Sequence, residues 1–448
     1  MADQKDSKDR GSAIPRNAFT RGARLAALPV GFAGRTTLGV GKRLAGRPGE
    51  IVLAEVQART ADQVFKVLGE LKGGAMKFGQ AMSVFESVLP DELAGPYREV
   101  LTKLQDAAPP MSKAMVDRVL VEEFGTDWAD KLIDFDYVAA AAASIGQVHR
   151  GTWVDGRPVA IKLQYPGAAK ALQSDLRQIG RLARMFGVIA PGVEVKPLVE
   201  ELQARVAEEL DYGLEAQAQE AFATEFDDDP QIVVPHVVAH TEKALVSEWM
   251  ESESSLAQII TSGTQDERNR FGERYVRFLF AGPSRAGMLH ADPHPGNFRI
   301  LADGRLGVVD FGAVARFPDG LPPILGTLLR HAVDGDFDAV TEGLRAEGFI
   351  RPGTKIDPAT IERYLDPFVE PARQDTFAFS REWMREQTSR VAAPGSEGIG
   401  TAMKINLPRE YLLIHRVWIG GIGVLSQLGA TAPFRSIMEE SLPGFTRA

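Results

Sequence analysis

Asp292 and Asn297 are polar residues five positions apart in the segment LHADPHPGN, which covers residues 289–297. A phosphoryl-transfer site needs one carboxylate at the attacking group, and an amide oxygen just beyond it can hold magnesium. A D-x-x-x-x-N spacing supplies both groups from a single loop. Taken alone, the segment is equally consistent with a polar surface loop that is rich in turn-forming residues.

A further carboxylate follows at Asp310, in the segment VVDFG. An apolar strand delivers this side chain, and Gly312 allows the sharp turn that can point it at a metal ion. The tripeptide DFG is common by chance, but its position eighteen residues after Asp292 is much rarer. The order of these motifs predicts Asp292 as the catalytic residue, with Asn297 and Asp310 as magnesium ligands.

Lys162 closes the run VAIK in the second strand of a predicted hairpin, which turns at Asp155-Gly156. A lysine inside an apolar strand either contacts nucleotide phosphates and a helix glutamate or, on an edge strand, holds its charge in water. The downstream motifs favour the nucleotide. Glu215 is the predicted partner, on a helix that is expected to carry Glu209 and Asp211 as well.

The composition excludes several other classes of protein. The chain has 448 residues, 44% of them hydrophobic, which allows a sizeable core. It has no cysteine, so disulfides, thiolate metal sites and a cysteine nucleophile are excluded. A net charge of −9 argues against general nucleic-acid binding.

Changes in sequence pattern along the chain predict four regions. Residues 1–48 form a flexible basic leader, and residues 49–110 form a helical extension. Residues 111–250 form a small lobe of strands with inserted helices, and residues 251–448 form a helical lobe. The expected fold class is α+β, a two-lobed protein-kinase-like fold in which a nucleotide lies in a cleft. The uncharged stretch 417–434 is expected to be a buried helix followed by a loop.

Four further motifs give the chain a specific resemblance to the UbiB-type (aarF-domain) atypical kinase family, over nearly its whole length. Lys77-Phe78-Gly79-Gln80 resembles the KxGQ motif of that family, and HADPHPGN resembles its catalytic loop. Residues 139–147, AAAAASIGQ, resemble its alanine-rich loop, although five alanines also suit a plain helix. Glu209-Leu210-Asp211 resembles its ExD motif.

The resemblance implies a set of roles for matching residues. Lys162 would bind nucleotide with Glu215 as its partner, Asp292 would be catalytic, and Asn297 and Asp310 would hold Mg²⁺. The nucleotide, ATP or ADP, would also meet the alanine-rich loop and the backbone of the hinge. A KxGQ helix would fold over the cleft as a regulatory element and pair its lysine with an ExD carboxylate. The residues of these three groups are Ala141, Ala142, Ala143 and Ser144 for the loop, Glu248 and Met250 for the hinge, and Lys77, Gly79, Gln80, Glu209 and Asp211 for regulation.

The sequence departs from ordinary protein kinases in two places. Ala291 stands where their catalytic loop has arginine, and the chain after Gly312 has neither an APE motif nor room for a long activation segment. A protein substrate would therefore lack its usual docking platform. The favoured function is a magnesium-dependent atypical kinase or ATPase with a role in lipid or isoprenoid-quinone metabolism. An orthodox protein kinase and a nucleotide-binding pseudokinase scaffold are the alternatives.

The leader bears on localisation. Between Arg10 and Arg47 it has eight lysine or arginine residues and no acidic residue. This pattern fits a disordered basic tail, and it also fits contact with an anionic membrane surface. Bacterial members of the family often end in two hydrophobic helices, which are not evident after Phe434, so permanent anchoring is not expected. The predicted location is cytoplasmic or peripheral at a membrane.

Overall fold

The structure is a computed structural model that describes residues 110–143, 145–169, 208, 210–392 and 404–446. The predicted leader and helical extension, together with Lys77, Gly79, Gln80, Ser144 and Glu209, lie outside the described residues. The chain divides into two compact units. Of the described residues, 110–143, 145–169, 208, 210 and 241–244 belong to the first unit, and 211–240, 245–392 and 404–446 belong to the second. The four regions expected from the sequence stay predictions.

The described part of the first unit contains a complete helix, a short 3₁₀ turn (Trp128–Lys131) and an antiparallel sheet. In this sheet, strand β3 pairs with β4 on one side and with both β1 and β2 on the other. The elements are α1 (Lys113–Phe124), β1 (Leu132–Phe135), β2 (Ala141–Ala142), β3 (Gly146–Trp153) and β4 (Pro158–Gln164).

The β3–β4 hairpin is formed by the turn that the sequence predicts. Gly156 has φ 91°, which glycine adopts without steric cost, and its N–H donates to the carbonyl of Trp153. The Asp155 carboxylate accepts from the N–H of Arg157 at 3.0 Å, as aspartate does in tight turns. Beyond the turn, β4 alternates, so that Val159, Ile161 and Leu163 are fully buried on one face of the sheet.

The alanine run forms a hairpin with β3. Ala141 and Ala142 are strand residues that pair with Val148 and Gln147, and the N–H of Ala143 donates to the carbonyl of Gly146 at 2.9 Å. The alternative of a plain helix is therefore wrong. The high helix propensity of alanine is overridden by ladder hydrogen bonds to β3.

The second unit is mostly helical and carries a large apolar core. Its strands form short ladders, in which β6 pairs with β7, β9 with β12 and β13 with β14, while β5, β11, β10 and β8 form a small sheet in that order. The division between the units falls inside β7, because Ala244 belongs to the first. The strands are β5 (Ile232–Val233), β6 (Val237–His240), β7 (Ala244–Glu248), β8 (Ser254–Ser255), β9 (Met288–His290), β10 (Phe298–Ile300), β11 (Leu306–Val308), β12 (Val314–Arg316), β13 (Phe377–Ala378) and β14 (Thr431–Ala432).

The helices of this unit pack their apolar faces into one core. The helices are α2 (Tyr212–Glu225), α3 (Leu256–Ser262), α4 (Gln265–Arg285), α5 (Pro323–Val333), α6 (Phe337–Ala346), α7 (Pro358–Val369), α8 (Arg381–Ala392), α9 (Leu412–Leu428) and α10 (Phe434–Ser441). Three 3₁₀ turns accompany them at Pro295–Asn297, Glu370–Ala372 and Arg409–Tyr411.

Helix α4 is the central support of the site. It begins with a capping box, in which the Thr264 side chain accepts from the N–H of Glu267 while the Glu267 carboxylate accepts from the N–H of Thr264. Phe271, Tyr275 and Phe278 recur at helical spacing and are almost fully buried. The buried face of α4 therefore helps to position the loop that follows β9.

Helix α9 confirms the expected buried helix in the stretch 417–434. It ends at Gly429, which adopts the left-handed conformation with φ 63° and donates to the carbonyls of Leu425 and Ser426. The loop that follows is short, because β14 and α10 begin within a few residues. Within the described ranges, no helix combines the length and the apolarity that a membrane span requires.

Candidate active site

The predicted catalytic loop holds Asp292 and Asn297 against each other. Strand β9 is buried and leads into the loop, and the N–H of Ala291 donates to the carbonyl of Ala313 at 2.9 Å. A 3₁₀ turn over Pro295–Asn297 then reverses the chain. As a result, the Asn297 side-chain nitrogen donates to the Asp292 carboxylate at 3.0 Å, and both side chains are buried.

This contact decides which atom of Asn297 can meet a cation. Because the amide nitrogen is committed to Asp292, the amide oxygen is the atom that is left for a metal ion. An oxygen ligand is what Mg²⁺ requires. The first and last residues of the D-x-x-x-x-N motif, Asp292 and Asn297, are thus in direct contact.

Tyr275 supports this loop from helix α4. Its hydroxyl is fully buried and donates to the carbonyl of Pro293 at 2.8 Å. Burial and the nearby charge of Asp292 raise the pKa of Tyr275 well above its ordinary value, so the hydroxyl stays protonated as a donor. The sequence analysis missed Tyr275, although a tyrosine at a buried position of an amphipathic helix needs a partner for its hydroxyl.

Asp310 occupies a strained backbone position. Its φ is 70°, and no other non-glycine residue in the described part of the chain has a positive φ. The carboxylate accepts from the N–H of Gly312 at 3.2 Å, and the Asp310 carbonyl accepts from Nε2–H of the buried His290 at 2.9 Å. Strain of this kind persists only where the surroundings enforce it, and it is concentrated at functional sites.

Phe311 and Glu215 tie helix α2 to the same turn. The ring of Phe311 is buried against Phe222 of α2, with ring centroids 5.0 Å apart. Glu215, one turn into α2, is also buried, and its Oε2 lies 3.4 Å from the position that a Cβ on Gly312 would take. The structure therefore brings Glu215 to the Asp310–Gly312 turn.

The expectation that Asp211 shares a helix with Glu215 is wrong. Asp211 has extended backbone angles, and its side chain accepts from the N–H of Gly213 at 2.9 Å. It is the N-cap at which α2 begins, because a short carboxylate satisfies an otherwise unpaired N–H at a helix start. Its predicted regulatory pairing with Lys77 stays a prediction.

In the first unit, Lys162 lies on β4, which β3 separates from the alanine strand β2. It pairs with Val148 of β3, which in turn pairs with Ala141 of β2, and residues directly opposite each other share one face of a sheet. Lys162 is half-buried on that face, opposite the fully buried Val159, Ile161 and Leu163. The structure thus groups Lys162 with Ala141. Its pairing with Glu215, which belongs to the second unit, stays a prediction.

Glu248 and Met250, the predicted hinge residues, stand at the end of β7. The N–H of Glu248 donates to the carbonyl of His236 at 3.0 Å, and its carboxylate accepts from the N–H of His236. This N–H is therefore already paired, and the contact of the Glu248–Met250 backbone with adenine stays a prediction.

The donor set suits magnesium bound together with phosphate. No cluster of three or more His, Cys, Asp or Glu side chains suited to a metal occurs among the residues that the structure describes. Mg²⁺ bound to nucleotide phosphates, however, needs only one or two protein oxygen ligands. The Asp310 carboxylate and the Asn297 amide oxygen meet that need.

Comparison with known proteins identifies the family. A buried Asp292–Asn297 contact and the half-buried Asp310 on a helical unit, together with a lysine-bearing strand hairpin, are typical of a kinase-like α+β protein. The ABC1 atypical kinase-like domain matches residues 103–344. The chain therefore belongs to this family, also called UbiB or COQ8, and the resemblance found in the sequence is confirmed. Membership places it among atypical kinase-like domains.

Relatives and a solved structure extend this result. Atypical kinase COQ8B, mitochondrial, of Rattus norvegicus is 30% identical over 76% of this chain and 64% of its own length. Atypical kinase COQ8, mitochondrial, of Saccharomyces cerevisiae is 27% identical over 85% of this chain and 75% of its own. A structure titled as the complex of Rv3197 with erythromycin, from Mycobacterium tuberculosis, is 41% identical, with a TM-score of 0.69, and the match covers 90% of this chain and all of that one.

Proposed function

We propose that this chain binds ATP with Mg²⁺ and either hydrolyses it or transfers its γ-phosphoryl group to a small molecule or lipid. The observation that carries the proposal is the contact of Asp292 with Asn297, beside an Asp310 held in a strained conformation. Bound magnesium nucleotide would supply the transferable phosphoryl group and neutralise its charge.

The residues of this chain would divide the work as follows. Asp292 orients the attacking hydroxyl or water and accepts its proton. The Asn297 amide oxygen and the Asp310 carboxylate hold the cation. Lys162 meets the phosphates below the alanine-rich hairpin of Ala141–Ala143, and the predicted partner Glu215 orients it.

The segment after Gly312 supports a small acceptor over a protein. Residues 314–316 form β12, which pairs with β9, and helix α5 begins at Pro323. This leaves no room for the long segment on which ordinary kinases dock protein substrates. A role in lipid or isoprenoid-quinone metabolism, at the cytoplasmic side of a membrane reached through the basic leader, extends this proposal. Cosedimentation of the full chain with anionic vesicles, compared with neutral ones, tests the membrane contact.

The experiment for the main proposal is magnesium-dependent ATP hydrolysis in the wild type and in Asp310→Asn. The substitution removes the metal-binding charge, and we expect turnover to fall by on the order of 100-fold. Asp303→Asn is the matched control, because Asp303 lies on the exposed β10–β11 turn and bonds only locally to Arg305. Equal turnover in wild type and Asp310→Asn would refute the proposal, and tight nucleotide binding without any turnover would favour a pseudokinase scaffold.

Erythromycin binding is a second candidate function. It rests on the 41% identity, over 90% of this chain, to the Mycobacterium tuberculosis protein whose structure is titled as an erythromycin complex. Titration calorimetry of the full chain with erythromycin, in the presence and absence of ATP and Mg²⁺, measures it directly. Lack of heat at saturating erythromycin in both conditions would exclude this function.

A further inference from the structure

Arg299 is a half-buried cation on an inner strand of the small sheet in the second unit. It is the middle residue of β10, between Phe298 and Ile300, whose side chains are buried in the core. Because side chains alternate along a strand, the arginine lies on the opposite face of the sheet. Burial lowers the pKa of its guanidinium, and no carboxylate opposes that effect.

The guanidinium of Arg299 has no partner in the part of the chain that the structure describes. It makes no hydrogen bond, ion pair or cation–π contact there, whereas Arg305 on the adjoining turn pairs with Asp303 at 2.7 Å. A charge that is taken out of water without a partner is costly. Departures of this kind from the rules of a stable fold are expected at functional sites.

The sheet beside Arg299 is covered by two apolar side chains. Arg299 pairs with Gly307 of β11, and residues directly opposite each other share one face of a sheet. The Met250 Sδ occupies the space that a Cβ on Gly307 would need, and Leu301 Cδ1 lies 2.8 Å from the same position. Met250 and Leu301 are themselves half-buried. Together with the aliphatic stem of Arg299 they form an apolar surface that is partly open to solvent.

This surface lies between the predicted contacts of the two ends of a nucleotide. Asn297, a predicted magnesium ligand, directly precedes β10, and its carbonyl accepts from the N–H of Val309 at 2.9 Å, so the ladder continues to it. Arg299 is two residues further along, about 7 Å in an extended strand. Met250 is a predicted contact of adenine. A nucleotide with its phosphates at Asn297 and its base at Met250 would therefore pass Arg299.

We propose that Arg299 recognises the base of the nucleotide by stacking its guanidinium plane on the purine ring, beside the apolar surface of Met250 and Leu301. This rests on the proposed nucleotide function and assigns base recognition to a residue that no motif marks. A guanidinium is planar and weakly hydrated, so it stacks on nucleotide bases as well as on aromatic side chains. The thioether of Met250 also suits an aromatic ring. The bound purine supplies the partner that Arg299 lacks.

Arg299→Ala tests the contact with the base, because it removes both the stem and the guanidinium. We expect the dissociation constant for ATP with Mg²⁺ to rise at least about fivefold and KM to rise with it, while kcat changes less than about twofold. The dissociation constant for inorganic tripolyphosphate with Mg²⁺, which has no base, should stay within about twofold of wild type. Equal losses for the two ligands would assign the cation to the phosphates and overturn the proposal, as would no loss for either.

Arg305→Ala is the matched control. It removes an arginine from the β10–β11 turn of the same sheet, where the side chain bonds only to Asp303. We expect the affinities for ATP and for tripolyphosphate to stay at the wild-type level. A loss of ATP affinity in Arg305→Ala as large as that in Arg299→Ala would show that the effect comes from the sheet rather than from stacking, and would contradict the proposal.

Arg299→Lys separates the plane of the guanidinium from its charge. Lysine keeps a positive charge on an aliphatic stem but has no planar group to lay on a base. We expect its ATP affinity to lie within about twofold of that of Arg299→Ala. Wild-type ATP affinity in Arg299→Lys would show that the charge alone acts, and stacking would be excluded.

Arg299→Met supplies a readout that a purely structural arginine would move in the other direction. Methionine keeps an unbranched apolar chain and removes the desolvated charge, so the melting temperature of the protein without nucleotide should be unchanged or higher. The rise in melting temperature on adding ATP and Mg²⁺ should be smaller than in wild type. A lower melting temperature without nucleotide would show that Arg299 stabilises the fold itself, and would refute the proposal.

Comparison of ATP with UTP tests the preference for a purine. The smaller pyrimidine ring offers less area for stacking, so wild type should bind ATP more tightly than UTP, and Arg299→Ala should bring the two affinities closer together. An ATP to UTP ratio that is the same in both proteins would overturn the role of Arg299. Failure of the wild type to bind ATP at all would instead refute the proposed function, so the two failures are distinguishable.

Discussion

At the scale of single residues, the site depends on how closely the carboxylates of Asp310 and Glu215 approach Gly312. Gly312 leaves room for the Asp310 carboxylate on one side and for Glu215 on the other. The Nε2–H of His290 donates a hydrogen bond to the Asp310 carbonyl.

Gly312→Ala is expected to disturb this arrangement without unfolding the protein. The new Cβ would lie 3.3 Å from Asp310 Oδ1, so this carboxylate must shift by a few tenths of an ångström, and it would be in van der Waals contact with Glu215 Oε2 at 3.4 Å. Because the predicted metal ligand Asp310 is displaced, we expect the Mg²⁺ concentration for half-maximal activity to rise on the order of tenfold. A tenfold rise corresponds to a loss of about 1.4 kcal/mol in binding free energy. Magnesium titration of ATP hydrolysis measures it.

Gly421→Ala is the matched control. Its Cβ meets only the flexible end of Leu279 at 3.3 Å, inside helix α9 and away from the turn. Alanine should be neutral or slightly stabilising there, because glycine is unfavourable within a helix. An identical magnesium response in both variants would contradict the role of Gly312.

The residues of the site were predictable from sequence to the extent that a motif ties a residue type to a chemical role. Asp292, Asn297 and Asp310 were predicted from their spacing; the structure places Asn297 in contact with Asp292, and the roles of all three stay predictions. Tyr275 and His149 do not follow from any motif, and Gln147 ends the alanine-rich motif without a predicted role of its own. Their side chains form hydrogen bonds to backbone atoms that are distant in sequence, and these appear only once the chain is folded.

At the scale of elements, the hairpins follow from short-range turn chemistry, whereas the smallest strands do not. Asp155-Gly156 and Asp303-Gly304 mark the β3–β4 and β10–β11 hairpins, and in each case the glycine has a positive φ. The pairs β9–β12 and β13–β14 escaped prediction because two- or three-residue strands are too short to show an alternating pattern. The start of α2 was missed because ELDYGLEAQ contains no proline and its one glycine, Gly213, lies inside the helix, although aspartate is a common N-cap.

Asp211 has two roles to be distinguished. The structure shows it as the N-cap of α2, and the sequence predicts it as the charged partner of Lys77. Asp211→Ala removes both, and the lost cap should lower the free energy of unfolding by about 1 kcal/mol. Asp211→Asn keeps the cap but removes the charge, so stability should hold. If the charge pairs with Lys77, nucleotide affinity changes in Asp211→Asn at unchanged stability.

Denaturant unfolding and nucleotide titration of both variants decide between these roles. An Asp211→Asn variant with wild-type nucleotide affinity would assign Asp211 to capping alone. Equal destabilisation by asparagine and alanine would contradict the capping role.

At the scale of the whole molecule, three histidines give the stability a dependence on pH with opposing signs. Burial lowers the pKa values of His415 and His149. Burial acts in the same direction on His236, but the carboxylates of Glu220 and Asp227 outweigh it and raise its pKa. The first two favour the folded state when neutral, and His236 favours it when protonated.

The sign for His415 follows from linkage. Its folded pKa lies below the ordinary value of 6.5, so its contribution is fully present above pH 6.5 and is lost as pH falls through the folded pKa. His415→Phe, which keeps the ring that packs against Phe368 at 5.8 Å, should therefore flatten the loss of stability on acidification. Thermal unfolding from about pH 7.5 to about pH 5.5 measures the slope.

His236→Gln is the control of opposite sign. The raised pKa of His236 gives a contribution that is complete below pH 6.5 and is lost as pH rises through the folded value. Removing it should steepen the loss of stability on acidification. Parallel slopes for wild type, His415→Phe and His236→Gln would show that these histidines do not govern the pH response.

The left-handed backbone at Asp310 has a consequence for mutational tolerance. Asparagine and glycine are the other residues that adopt this conformation readily, and neither carries a charge. Replacements of Asp310 should therefore give three kinds of outcome. Asparagine and glycine would give folded but inactive protein, β-branched residues would impair folding itself, and aspartate alone would satisfy both demands. Selection for foldability and selection for catalysis can thus be separated at a single position.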